Sequence, residues 1–236
     1  MTRFVKLFWI DNMDFQEVIA YFEEISDENV VNSNKRFAIG CEHSYGIRLP
    51  VIRKLAKEIG KDHDLAIELW NHPFHESHLL ATMIEEKEKV TSRQLEEWVN
   101  SFYSWDIVDQ ACINLLIDLP EARDNIFVWC GAEKEFVKRT AFSLIAVIAV
   151  HDKKAGPEDF DKYFPLIKKA SFDNRNFVKK SVNWALRQIG KRDLICNKNA
   201  LEVAYEISEI DDKTCRWISS NAILELESEK VQKKFY

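Results

Sequence analysis

The chain has 236 residues with only six glycines and five prolines, well under half the roughly 12% that an average protein devotes to these two residues. That shortage excludes a glycine-rich phosphate loop, since no two glycines stand closer than Gly40 and Gly46, and it starves an all-β sandwich of the turns it needs about every 8–12 residues. With 46% apolar and 31% charged residues and a net charge of −6, the composition suits a helical globular protein burying roughly 70–75% of its unfolded surface.

Near the start, the apolar run Phe4 to Ile10 is broken by Lys6 and followed by Asp11. It is too short for a membrane span or a secretory leader, so a cytoplasmic protein is expected. From there apolar residues recur at the helical period, as in Phe15, Val18, Ile19 and Phe22, and again in Val51, Ile52, Leu55 and Ile59. The pattern predicts helices over 14–26, 49–60, 63–71, 75–89, 92–102, 105–118, 121–133, 135–151, 158–170, 175–190, 198–208 and 212–226. Pro50, Pro73, Pro120, Pro157 and Gly190 punctuate their ends, and Ser104, Asp173 or Asn174, and Asp212 suit N-caps. No Ser/Gly/Pro-rich linker divides the chain, which reads as one domain over 1–236. The five cysteines (Cys41, Cys112, Cys130, Cys196, Cys215) form no C-x-x-C pair and read as reduced, mostly packed thiols.

His72-Pro73-Phe74-His75-Glu76-Ser77-His78 gathers three imidazoles and a carboxylate. The zinc-protease pattern needs its histidines four apart with Glu after the first. Here His75 and His78 are three apart, so no metal is expected and a solvated or helix-capping cluster is preferred. Further on, Ser104-Trp105-Asp106-Ile107-Val108-Asp109 opens a helix. Acids in a first turn suit the helix dipole, which makes these residues cap and core. The same spacing sets Trp105 and Asp109 on one face, four residues apart, as a site would require.

The C-terminal half repeats itself, most clearly over 135–226. Glu135 to Phe142 aligns with Asn176 to Asn183 at an offset of 41, and Arg216 to Ala222 follows as a fainter third copy. Periods of about 40–47 with two helices each belong to HEAT and armadillo solenoids, whose second helices line one surface. Lys138/Arg139 and Lys179/Lys180 then form a row across it. Charge supports this, because Glu133 to Arg192 holds 14 Lys/Arg against 7 Asp/Glu, a basic face on an acidic body.

Taken together, Tyr45-Gly46-Ile47-Arg48-Leu49-Pro50, Leu69-Trp70 through Pro73, His75-Glu76, Ala81, Trp105-Asp106-Ile107-Val108-Asp109, Lys138-Arg139-Thr140-Ala141 and Val182-Asn183-Trp184-Ala185-Leu186-Arg187 resemble the AlkD family of DNA alkylation repair glycosylases. Order and spacing match across about residues 40–190. The resemblance implies an all-α superhelix of HEAT-like repeats that excises cationic N3- and N7-alkylpurines from double-stranded DNA, gripping backbone and sugar without a base-flipping pocket. It assigns the catalytic carboxylate to Asp109, the two indoles holding the deoxyribose to Trp105 and Trp184, a cleft cation to Arg139 and a DNA contact to Arg187. Phe37 and Tyr45 are the candidates for a further N-terminal aromatic. Lys138, Lys179 and Lys180 are the expected phosphate contacts. A monomer with no cofactor and no membrane partner is expected.

The chain departs from the family's pattern at His78, where Arg is common, and in its negative net charge. Relatives that keep the fold and bind unusual, damaged or branched DNA without excision supply one alternative. A HEAT-like protein scaffold, which would carry an apolar or acidic groove, supplies another.

Overall fold

The computed structural model describes residues 13–39 and 43–235; the Phe4–Ile10 run, Trp9, Gly40 and Cys41 lie outside them. All regular structure among the described residues is helical, and the chain divides into two compact units, Met1–Gln94 and Leu95–Tyr236.

The first unit holds α1 (Phe15–Glu24), α2 (Glu28–Arg36), α3 (Leu49–Ile59), α4 (His63–Trp70) and α5 (His75–Ile84). Asp14 opens α1 with a reciprocal capping box to Glu17, which satisfies two of the first turn's orphan N–H groups. Helix α2 is absent from the periodicity because its sequence carries only Val30 and Val31 as apolar residues; Asp27 caps it and Val30 is buried. The 75–89 segment ends early, at Ile84, because Glu85 turns to an extended conformation. Its buried carboxylate accepts from Glu86 N and Gln94 Nε2 and pairs with His63 Nδ1 at 2.6 Å. Helix α4 packs on α5, α3 on α5 and α1 on α4.

Helix α6 (Ser92–Ser101) begins at the boundary, and the second unit continues with α7 (Trp105–Asn114), α8 (Pro120–Trp129), α9 (Glu135–His151), α10 (Glu158–Asp161), α11 (Phe164–Ala170), α12 (Asn176–Gly190), α13 (Leu194–Ser208), α14 (Lys213–Leu226) and α15 (Glu229–Gln232). The segment 158–170 splits in two where Pro165 removes a backbone donor. Helix α13 starts four residues before its predicted position because Asp193 caps it, accepting from Cys196 N. Asp212 caps α14 through Thr214 N and Cys215 N. Arg175, not Asp173 or Asn174, stands at the N-cap of α12.

Two helix layers result in this unit. Helices α7, α9, α12 and α14 pack in succession, and α8, α11 and α13 cover them from one side. The sequence periodicity explains the arrangement. From Ala141 to Val150, α9 is apolar all round except for Ser143, and a helix without a polar face must be enclosed. Phe142, Leu144, Ile145 and Ala146 are fully buried. At Gly190 a Cβ would come within 2.7 Å of Leu226 and 2.9 Å of Ala200 Cβ, so a hydrogen at that position lets α12, α13 and α14 close up. The 41-residue offset is physical: Phe136 and Phe177, equivalent by sequence, meet with ring centroids 5.5 Å apart.

Candidate active site

The second turn of α7 carries Asp109 toward α9. Arg139 Nη2 donates to Asp109 Oδ1 at 2.8 Å and Oδ2 at 3.0 Å, and Ser143 Oγ donates to Oδ1 at 3.0 Å. Arg139 Nη1 reaches on to the Phe177 carbonyl at 2.8 Å, which ties α7, α9 and α12 together through one guanidinium. Trp105, one turn before Asp109, lies with its ring centroid 6.0 Å from the Arg139 guanidinium carbon. The structure brings together Trp105 and Asp109, read from sequence as one helix face, and Arg139 on α9.

The electrostatics are those of a charge pair taken mostly out of water. Arg139 keeps 6% side-chain exposure and Asp109 17%. Burial pushes the Asp109 carboxyl above the usual aspartate range, against the opposing pull of Arg139 and Ser143. Oδ1 has two donors and Oδ2 one, so Oδ2 is the oxygen with room for another partner. Arg139 Nε is buried with no partner of its own. Sequence reading missed Ser143, although a single polar residue inside the apolar run of α9 is a signal. A fully buried hydroxyl has to find an acceptor, and this one finds Asp109.

Trp184 stands half-buried on α12, at the sequence equivalent of Ser143 one repeat later. In the Gln188 amide orientation that satisfies both neighbours, the Gln188 oxygen accepts from Trp184 Nε1 at 2.8 Å and Lys191 Nζ at 3.2 Å. Lys180, Trp184, Arg187, Gln188 and Lys191 make one incompletely buried stripe along α12, at the helical spacing of a single face.

The basic row is more heavily compensated than its sequence suggests. Lys138 pairs with Asp173 at 3.2 Å, and Arg175 holds the same carboxylate at 2.6 Å. Burial of Asp173 opposes its ionisation, but the hydrogen bonds from Arg175 and Lys138 prevail and hold the carboxyl down at about 2. Arg187 pairs with Glu225, which also accepts from Lys191 at 2.7 Å. Lys179 sits 5.3 Å from the Trp217 ring centroid, a cation–π distance, and Lys180 is exposed. The interleaved Asp173 and Glu225 went unread because each lies tens of residues from the cation it neutralises.

In the first unit, the His/Glu motif is buried and not solvated at its centre, His75, Glu76 and Ser77, while His72 and His78 are half-buried. Glu76, with no exposure, accepts from Ser44 Oγ at 2.7 Å and from the backbone N–H groups of Tyr45, Gly46 and Ile47 at 2.9, 2.9 and 3.1 Å. Gly46 makes this loop feasible: its φ is +76°, and a Cβ there would strike the Asp27 carbonyl oxygen. His72 Nδ1 lies 3.1 Å from Ser77 Oγ. His78 Nε2 lies 2.9 Å from the Trp70 carbonyl oxygen, and burial drives its pKa down to about 4, so this position brings no positive charge at neutral pH. Among the described residues, no group of three or more His, Cys, Asp or Glu side chains is placed to hold a metal ion. Of the two candidate N-terminal aromatics, Tyr45 is buried and stacked on Phe74 at 4.1 Å, whereas Phe37 is 66% exposed. Among the described residues no helix is long and apolar enough to cross a membrane.

Comparison with known proteins agrees with this architecture. The fold is that of the HEAT-like repeat class: a solved protein described as one of "a new family of proteins related to the HEAT-like repeat DNA glycosylases with affinity for branched DNA structures" superposes with a TM-score of 0.73. It shares 18% identity, over 88% of this chain and 93% of that one. An engineered protein (TM-score 0.44, 12% identity, 92% of this chain and 99% of that one) and a designed armadillo repeat protein (0.42, 14%, 92% and 97%) are more distant. No curated protein matches the chain. The model of the DNA alkylation repair enzyme family matches residues 18–223, and the chain belongs to that family.

Proposed function

We propose that the protein is a DNA glycosylase that removes cationic N3- or N7-alkylated purines from duplex DNA, with Asp109 as its catalytic carboxylate. The observation that carries this reading is the under-coordinated Oδ2 of Asp109, in a carboxylate that Arg139 and Ser143 orient and that keeps 17% exposure. A carboxylate wholly committed to structure, such as Glu76, is closed to solvent and offers a substrate no approach.

The chemistry follows from those atoms. The C1′–N bond breaks with its electron pair leaving on the purine, which discharges the purine's positive charge and leaves an oxocarbenium-like sugar. Asp109 stabilises that cation through Oδ2. Water then adds to C1′ and gives up its proton to the carboxylate, which returns it to solvent. Trp105 and Trp184 present indole faces to the positive sugar, while Lys179, Lys180 and, once freed from their carboxylates, Lys138 and Arg187 hold phosphates. Excision from the stacked duplex needs no base pocket.

The test is base release from methylated duplex DNA by wild type and Asp109→Asn, side by side with a no-protein control. Release of 7-methylguanine or 3-methyladenine by wild type alone supports the reading. Wild type that equals the control while still binding DNA favours a second reading, binding of branched DNA without excision. That reading draws on the net charge of −6, on the compensated basic row and on the branched-DNA affinity of the structurally similar protein.

A further inference from the structure

At the far end of the α12 stripe, a cleft of about 390 Å3 opens between the C-terminal ends of α9 and α12 and is lined by Lys153, Gln188, Lys191, Arg192, Asp193 and Lys234. Four cations face one acid. Asp193 is committed to capping α13 through Cys196 N, and Lys234 has no carboxylate partner among the described residues. Lys191 shares Glu225 with Arg187, two cations on one carboxylate. A helix C-terminus ordinarily repels anions. Here, however, the last carbonyls of α9 are already covered, with Arg192 Nη1 on the Ala149 oxygen and Lys153 Nζ on the Val150 oxygen, both at 2.6 Å. Partial charges on two carbonyls offset only part of two full charges. A second contact, 2.6 Å from Arg192 Nη2 to the Ala155 oxygen, and the Phe160 ring 4.6 Å from its guanidinium carbon hold that group in place.

Position gives the surplus a purpose. Val150, on the cleft wall, stands eleven residues after Arg139, which brings it back to within about 20° of the same face, roughly 16 Å along the axis. Lys191 lies seven residues beyond Trp184, two turns further on one face, and Gln188 joins the two through its amide oxygen. We infer that this cleft is an oxyanion site that holds one phosphodiester of the DNA strand whose sugar meets Trp184. The inference rests on the DNA-binding reading above. Free phosphate offers the same chemistry, and the experiment separates the two sources.

The experiment measures affinity for unmodified duplex DNA against salt for wild type, Lys153→Gln/Lys234→Gln and Lys234→Gln alone, with thermal melts in chloride and in inorganic phosphate at equal ionic strength. Lys234→Gln removes no hydrogen bond of the fold, so it remains informative should the double variant fold poorly. Loss of one phosphate contact reduces the log–log salt slope by about 1 in the double variant, and phosphate raises the wild-type melt by about 2 °C but not the variant's. A reduced slope without the melt shift also supports the site, since a tethered diester is presented at higher effective concentration than free phosphate. An unchanged slope with the melt shift assigns the cleft to free phosphate and overturns the DNA assignment. No change in either overturns the site. If wild type binds no duplex at all, the proposed function and the DNA assignment both fall, and the phosphate melt alone decides whether the cleft takes an oxyanion.

Discussion

Two carboxylates, Glu76 in the first unit and Asp109 in the second, are both drawn largely out of water and are treated differently. Glu76 in the first unit has no exposure and four donors, three of them backbone N–H groups of one loop. Three of the donors share Oε1 and Tyr45 N alone reaches Oε2, but no part of the residue is open to solvent, and the charge is spent on fixing residues 44–47. Asp109 in the second unit has donors from only two side chains, one of which reaches both oxygens, and keeps 17% exposure. Access separates a structural carboxylate from one that can still act: each has an oxygen with a single donor, but only that of Asp109 belongs to a side chain open to solvent. A charge sealed from solvent cannot meet a substrate, whereas one left partly open gains most when positive charge develops beside it.

Substitution at the two carboxylates breaks the comparison at opposite ends. Glu76→Gln turns an amide NH2 toward backbone donors and is expected to lower the unfolding free energy by about 3–5 kcal/mol, read by urea denaturation, with loss of the near-UV signal of the Tyr45–Phe74 stack. A stability within about 1 kcal/mol of wild type would mean that the loop is held by other contacts. Asp109→Asn is expected to slow excision by about 10²–10³, or 3–4 kcal/mol. It also lowers stability, since Arg139, 6% exposed, loses its anion. Melts and excision are therefore measured together, well below the variant's transition. Full excision by a folded Asp109→Asn protein would remove Asp109 from the chemistry.

Ser143→Ala sharpens the distinction within the site. One lost hydrogen bond to a charged acceptor costs about 1.5–3 kcal/mol, so excision is expected to fall about ten- to a hundredfold. The pH profile tells orientation from simple packing. Excision needs the ionised carboxylate and is lost as pH falls through the Asp109 pKa, already raised by burial; the Ser143 hydrogen bond lowers it. Removing that bond moves the acidic limb to higher pH, whereas a purely structural defect would lower the melt and leave the limb in place. The smallest effect on turnover belongs to Lys179→Ala/Lys180→Ala: at saturating DNA, excision stays near wild type while the salt slope of binding drops by about 2. An unchanged slope would take both lysines out of the interface.

Composition and periodicity by themselves determined the helical class, the repeat and most helix positions, because both depend on residues close in sequence. Glycine and proline are too scarce for loops and turns, apolar residues recur every three to four positions, and one 41-residue copy matches the next. The pairing of Trp105 with Asp109 was legible for the same reason, since four residues is one helical turn. Of the exceptions, one was local, since α2 has too few apolar residues to show a period, and one was not, since the Glu85 carboxylate where α5 stops is held by His63 and Gln94 from other segments. Tertiary structure alone decided how the charges are used. The repeat sets Arg139 in a basic row and the resemblance sets it in the cleft of Asp109, but only packing buries its guanidinium on that carboxylate, thirty residues away. Lys138 and Arg187 read as phosphate contacts, yet each is paired with an acid more than thirty residues away, Asp173 and Glu225, that it shares with a second cation. Attraction between charges depends on their separation in space and on the water between them, and a linear sequence records neither until the helices pack.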